Sequence, residues 1–335
     1  MKKNEISALN VLFCLMVIFI HVTSAPITNL PPDTVTVKIL FSIHRMCGVA
    51  VYGFVFLSGV KLFLKDTSKI EYSEYIIARL QKIYIPYLIV TVLYYLYEII
   101  RGFYVFDLKQ LAYFLVTGSG ECHLYFVILI MQFYLLFPLW KKAVNFKNTA
   151  LLLITGALIN VVCLCKLPDF ISHNHTVFTS YIFIWFLGCV CGKYYDEFTV
   201  FAKKNVIKFG VLSVVLLASD VYMSYSSNYY GIYFNSLIFN VVRMSALSAF
   251  IMFLMGLFTR FDIKILHAKL FNMINNASFE IYLVHLFVLY AVSDFINKYF
   301  SFGQLEMYLM GLILVYVLSI TLCVIYKYVL VRIKK

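Results

Sequence analysis

His21 lies fifteen residues into an apolar run that begins at Ile6. On a helix rising 1.5 Å per residue that is about 22 Å from the start, in the far half of a bilayer. Ionisable groups inside membrane-length apolar runs are costly, so each one is a candidate for function. An imidazole that titrates near neutrality can take a proton from a hydroxyl; its plainer use is as a neutral group that satisfies a neighbouring helix. Further polar groups fall at the same face: His44 and Arg45 open a second apolar run, Glu121 and His123 open a fourth, and Glu98 and Arg101 close a third. His, Glu and Arg at one face form the kind of constellation that acid–base chemistry uses, so His21, His123 and Glu121 are the candidate catalytic residues. Glu98, Arg101 and Lys109 read as ordinary interfacial residues. Arg243 sits inside an apolar run and needs a partner, either Asp220 or an anionic ligand.

Toward the opposite face, Arg79 and Lys82 are three apart and share one side of a helix start. Paired basic groups there suit phosphate, and they equally suit a positive anchor at the membrane surface. Pro86 follows and must distort the helix, leaving carbonyls without their usual N–H. Glu280 and His285 are expected near the start of a later run, within reach of the same region.

The elements that must position these groups are membrane helices. Hydrophobic residues make up 63% of the 335 and charged residues 13%, with a mean hydropathy of +0.88, so the excess apolar surface must face lipid. Apolar runs long enough to cross the hydrocarbon core appear at 6–25, 46–64, 82–100, 124–140, 149–165, 178–195, 206–223, 236–258, 278–297 and 306–330. The fold class is therefore all-α: a polytopic membrane protein of about ten transmembrane helices, read as a single membrane-embedded domain over 1–335. With the N-terminus inside, 21 of the 28 Lys and Arg fall in cytoplasmic segments and 6 outside, Arg243 being within a run. That bias places both termini in the cytoplasm. The segments 71–82 and 262–275 have the mixed basic and apolar spacing of interfacial helices, and 107–117, bounded by Asp107 and Gly118, is too short to span.

The net charge of +12 is spread in short clusters between apolar runs and not along one face, which argues against nucleic acid as a partner. Most of the eight cysteines lie in apolar runs, where they act as small hydrophobes, and their spacing lacks the ligand set of a zinc site, so no metal is implied. No Walker loop, dinucleotide fingerprint, H-E-x-x-H or G-x-S-x-G motif is present, which leaves ATP-driven transport and standard hydrolase chemistry without support.

Several segments resemble the acyltransferase family 3 membrane proteins. Asn10 followed by ten residues and His21 is similar to that family's first span, where an Arg precedes the His. Phe54-Val-Phe-Leu-Ser58-Gly59 resembles its Phe-rich Ser-Gly motif, and Arg79-Leu-Gln-Lys82-Ile-Tyr-Ile-Pro86 its basic-x-x-basic segment. His123-Leu-Tyr-Phe resembles a His-Leu-Trp-Phe motif, followed by Gln132-Phe-Tyr and Pro138, and Ser278-Phe-Glu-Ile-Tyr-Leu-Val-His285 resembles a late Ser-x-x-Ile-Tyr-Leu-x-His. The matches run in family order from residue 10 to 285, and the compact members that acetylate surface glycans or glycolipids look most similar. Asn10 stands where the family has Arg, and Lys82 where a second Arg is common; Asn10 can only hydrogen-bond, and Lys is a point charge where Arg is a fork.

The resemblance implies a membrane O-acyltransferase that takes an acyl group, most commonly acetyl from acetyl-CoA, inside and places it on a sugar hydroxyl of a surface polysaccharide or glycolipid outside. Arg79, Lys82, Asn10 and His285 would bind the acyl-CoA; His21, His123 and Glu121 would serve the acceptor. Acyl-CoA is a substrate and no resident cofactor is expected. Partners are then the bilayer, a further copy of the chain or glycan-synthesis proteins, and the location is the cell membrane. Two rival readings stand beside this one: a transporter or exporter of a glycan or lipid-linked sugar, and a non-catalytic partner of a glycan synthase.

Overall fold

Every one of the ten apolar runs becomes helix in the computed structural model, which describes residues 3–145, 148–166, 176–261, 269–301 and 303–333. The helices in chain order are α1 (Asn4–Asn29), α2 (Val35–Cys47), α3 (Val49–Phe63), α4 (Tyr72–Arg79), α5 (Ile85–Ile100), α6 (Leu108–Thr117), α7 (Tyr125–Leu135), α8 (Phe137–Asn145), α9 (Thr149–Lys166), α10 (Ile182–Lys193), α11 (Tyr195–Lys204), α12 (Val206–Tyr230), α13 (Ser236–Arg260), α14 (Lys269–Tyr299) and α15 (Gln304–Ile333). Among the described residues, eight helices or helical runs are long and apolar enough to cross a membrane, and the number is nine when α7 with α8, bent by 60°, is taken as one broken span. The shorter apolar run Phe178–Lys193 stands at the place of the remaining one. The chain is a multi-pass α-helical membrane protein.

Local chemistry sets the ends and breaks. Pro31 and Pro32 stop α1, because a residue before proline is pushed out of the helical region, and Leu30 is extended. Asp107 caps α6 by accepting from the Lys109 N–H, and Gly118, at φ +74°, closes it in the left-handed conformation. Between α4 and α5 the residues Leu80–Tyr84 form a π-helical turn in which the Ile85 N–H reaches Leu80 O. Pro86 explains it: with no N–H for the Lys82 carbonyl and a ring that collides with it, the chain widens its turn. The α7–α8 bend at Leu136 lies just before Pro138, and the Trp140 indole N–H donates to Phe133 O, 2.8 Å away.

Several helices run further than hydropathy suggests. The segment 71–82 is not a separate interfacial helix but the first turns of one helical run, Tyr72–Ile100. In the same way α14 begins at Lys269, while 262–268 of the other expected interfacial segment lie outside the described residues.

The chain divides into two units, residues 1–54 with 196–335 and residues 55–195. In the first, α1 and α14 run parallel with α15 antiparallel to both, and Cys14, Ile18, Val22, Ala277, Ile281 and Val315 form their shared core. The paired α12 and α13 and the antiparallel α2 complete that unit. The end that holds the start of α1 also holds Lys203, Lys204, Lys208, Arg260, Lys269 and Lys327.

In the second unit, α10 lies directly on α3. A β-carbon at Gly188 would run into Phe56 O, one at Gly192 would stand 2.5 Å from Val60 O, and one at Gly59 would stand 2.9 Å from Trp185 O. Gly188 and Gly192 are thus a G-xxx-G face that lets two membrane helices touch backbone to backbone. Gly188→Leu is expected to lower stability by at least about 1–3 kcal/mol through overpacking. Thermal melting in detergent measures it, with Ile154→Leu on the exposed face of α9 as the unaffected control.

Candidate functional site

The first unit carries a histidine cluster. His21 of α1 faces His285 of α14 with ring centroids 5.0 Å apart. His285 is fully buried, and its Nδ1 lies 2.7 Å from Tyr282 O. A carbonyl only accepts, so Nδ1 carries the proton and Nε2 the lone pair. Sequence reasoning placed His285 near the start of its helix with Glu280. Because α14 starts at Lys269, His285 is sixteen residues along, about 24 Å, which brings it level with His21. Glu280 pairs instead with Lys327 of α15 at 2.5 Å.

His44 of α2 meets Thr23 of α1, with Nδ1 2.9 Å from the hydroxyl. Thr23 donates to Phe19 O at 2.6 Å, so its oxygen accepts from His44 and again leaves Nε2 as the basic nitrogen. Asn10 lies nearer the start of α1, donating to Asn275 Oδ1 at 3.1 Å and Ser278 Oγ at 2.7 Å on α14. It therefore acts as a polar clasp between helices.

Beside His44, Arg45 grips Asp220 of α12 with both Nε and Nη2, at 2.9 and 2.8 Å. Arg243 of α13 reaches the same carboxylate through Nη1 at 2.8 Å. Asp220 is thus the partner anticipated for Arg243, and Arg45 is an addition that sequence alone did not supply.

The second unit carries two polar regions. In one, Glu121 and His123 are both buried just before α7, and the His123 ring meets Tyr94 edge-on at 5.6 Å. Glu98 pairs with Arg101 at 2.9 Å. Burial raises the phenol of Tyr104 above its ordinary value, with the carboxylates of Glu121 and Glu98 adding to the effect.

The other region is a cavity of about 390 Å³ lined by Ser58, Lys61, Lys65, Arg79, Tyr134 and two leucines. Arg79 stacks over the Tyr75 ring at 4.0 Å and faces Tyr134 at 5.6 Å, which fixes its planar head beside the cavity. Lys82 is exposed and does not line the cavity. It lies within the π turn, where the extra residue breaks the i, i+3 alignment that would have set it beside Arg79. Lys61 in the last turn of α3 and Lys65 just beyond its end take its place. Three cations with no carboxylate among the described lining residues make a ready oxyanion site.

The sequence-level groupings therefore redistribute. Of the four residues expected to hold acyl-CoA, only Arg79 lines the basic cavity; Asn10 and His285 sit in the first unit beside Ser278 and His21. Among the three expected to serve the acceptor, Glu121 and His123 lie in the second unit and His21 in the first.

Comparison with known proteins places this arrangement. Two curated relatives are each called a probable poly-β-1,6-N-acetyl-D-glucosamine export protein. The one from Staphylococcus aureus (strain MSSA476) is 24% identical over 319 residues, covering 89% of this chain and 86% of the relative. The other, from Staphylococcus epidermidis, is 25% identical over 313 residues, covering 89% and 84%. No solved structure matches the chain significantly. A family model described as an acyltransferase domain, that of acyltransferase family 3, matches residues 3–328, nearly the whole chain, so this protein belongs to that family of membrane acyltransferases.

Proposed function

We propose that the protein is an O-acyltransferase that takes an acyl group, acetyl in the first instance, from cytoplasmic acyl-CoA and places it on a hydroxyl of a cell-surface carbohydrate. The observation that carries this reading is the His21–His285 pair, a half-buried imidazole backed by a fully buried one of fixed tautomer. In this reading the His21 N–H turns toward the Nε2 lone pair of His285 as the acceptor binds, and the other His21 nitrogen takes the proton of the acceptor hydroxyl. The hydroxyl oxygen forms the new ester bond, the thioester C–S bond breaks, and the thiolate leaves to be protonated. His123 and Glu121 are the acid–base group that the second unit offers for this chemistry. The cavity of Lys61, Lys65 and Arg79 receives the donor's phosphates, and the basic end of the first unit faces the cytoplasm.

The donor half is tested by acyl-CoA binding to detergent-purified protein. Arg79→Ala and Lys65→Ala are each expected to weaken binding about 10- to 100-fold, the worth of a charged hydrogen bond to phosphate. Lys82→Ala should stay within about threefold of the parent. Wild-type affinity should fall with added salt, and a donor lacking one phosphate should be insensitive to one of the two cavity substitutions. Equal loss in all three variants would move the donor site away from this cavity.

The names of the relatives favour a second reading, export of a surface glycan. It is separated by reconstitution in vesicles: glycan movement that survives His21→Ala, with no acyl-CoA consumed by the wild type, would establish export.

A further inference from the structure

We propose that Arg45 and Arg243 form a binding site for an oxyanion group, a phosphate or carboxylate, held beside Asp220 within the membrane-spanning part of the first unit. Two guanidinium groups meet one carboxylate there, so one positive charge is left over. Asp220 is 1% exposed and already accepts three N–H bonds, two on Oδ2 and one on Oδ1. Among the described residues no second carboxylate pairs with either arginine, and Nη1 of Arg45 and Nε and Nη2 of Arg243 have no hydrogen-bond acceptor. The flanks of the site are fixed: Arg45 lies over the Phe239 ring at 5.5 Å, and Arg243 Nη2 stands where a β-carbon at Gly48 would come within 2.9 Å.

The two guanidinium side chains keep 21% and 18% of their surface, whereas the carboxylate between them is sealed. Both arginines therefore keep part of their side chain open on either side of a sealed carboxylate. Of the adjacent titratable groups, His44 has its Nδ1–H committed to Thr23, and Tyr52, near Arg45, carries a phenol and no carboxylate. A surplus charge at membrane depth is costly unless a counter-charge is supplied. Arginine presents donors in a planar fork that matches an oxyanion, so a phosphate or carboxylate supplies that charge better than chloride. The group can be part of an anionic lipid or of a polar ligand arriving from the aqueous side. The site is independent of the acyl-transfer reading and lies on other residues.

The experiment is a melting-temperature titration of the full-length protein purified in a neutral detergent. Inorganic phosphate and acetate form one arm and phosphatidylglycerol the other, with chloride and phosphatidylcholine as controls. A saturable rise of about 5 °C is expected in at least one oxyanion arm, from mass action on the folded state. A rise in the soluble arm identifies a polar ligand, and a rise with phosphatidylglycerol alone identifies a lipid. Arg243→Gln, which leaves the Arg45–Asp220 pair neutral, should abolish the rise. No rise in either arm with wild type, or the same rise in Arg243→Gln, would overturn the proposal. A second variant, Arg79→Ala, separates this site from the basic cavity of the second unit: a rise that persists in it supports the proposal even if Arg243→Gln fails to fold, and a rise lost in it would assign the anion to that cavity and overturn the proposal.

Discussion

Replacing His21 with alanine is expected to lower acyl-CoA-dependent acyl transfer by about 10²- to 10⁴-fold, the range for loss of a general base, with acyl-CoA binding unchanged. The separation of effects follows from the different residues involved. His21 packs against His285 in the first unit, whereas the basic cavity that would hold the donor is built wholly from residues of the second. A base that acts only as the hydroxyl attacks changes turnover and leaves ground-state donor binding alone. His285→Gln tests the other half of the pair. If His285 positions His21, the variant keeps an acceptor near the His21 N–H through its amide oxygen and should retain more activity than His285→Leu. A merely structural role would instead make both variants fall together with their melting temperatures. Wild-type turnover in His21→Ala would move the base to His123 or Glu121, where the same measurement applies.

Much of this arrangement is written in the sequence, and the physics shows which part. Membrane crossing is a matter of local composition, so the ten apolar runs mark ten helical segments, and a helix as short as α6 is delimited by its cap Asp107 and its terminator Gly118. The need of Arg243 for a counter-charge at similar depth makes Asp220 one of two candidates from sequence alone, beside an anionic ligand, because an unpaired charge in a span is so costly. Hydropathy, however, reports where lipid is and not where backbone hydrogen bonding continues. The polar first turns of the run at Tyr72 and of α14 at Lys269 are therefore read as loops or interfacial helices. That misplacement alone moved His285 away from its neighbour.

The donor cavity illustrates a second limit. Lys61 and Lys65 look like any other cytoplasmic lysines in a count of charges, and nothing local reveals that they face Arg79. Proline at 86 forecasts a distortion, but only the geometry shows a π turn that takes Lys82 out of line. A signal that was present and passed over is the G-xxx-G spacing of Gly188 and Gly192, which announces a close helix contact even before its partner on α3 is known.

Asp220→Ala is expected to be the most destabilising substitution in the first unit, by about 3–5 kcal/mol, because it breaks a buried ionic group from its acidic side. Three hydrogen bonds go at once, and two guanidinium groups that were held on either side of a carboxylate repel each other with nothing between them. Arg243→Gln removes one bond and leaves a bidentate Arg45–Asp220 pair whose charges cancel, so its cost should be nearer that of one charged hydrogen bond, about 1.5–3 kcal/mol. Arg45→Gln should fall between them, since it removes two bonds but keeps the Arg243 pair neutral. Thermal melting of the three variants in one detergent gives the order directly. A double variant, Asp220→Asn with Arg243→Gln, should recover part of the loss of Asp220→Asn alone, because it takes away one of the two repelling charges. Equal losses in Asp220→Ala and Arg243→Gln would mean that water or lipid already screens both arginines. The surplus charge would then need no counter-ion.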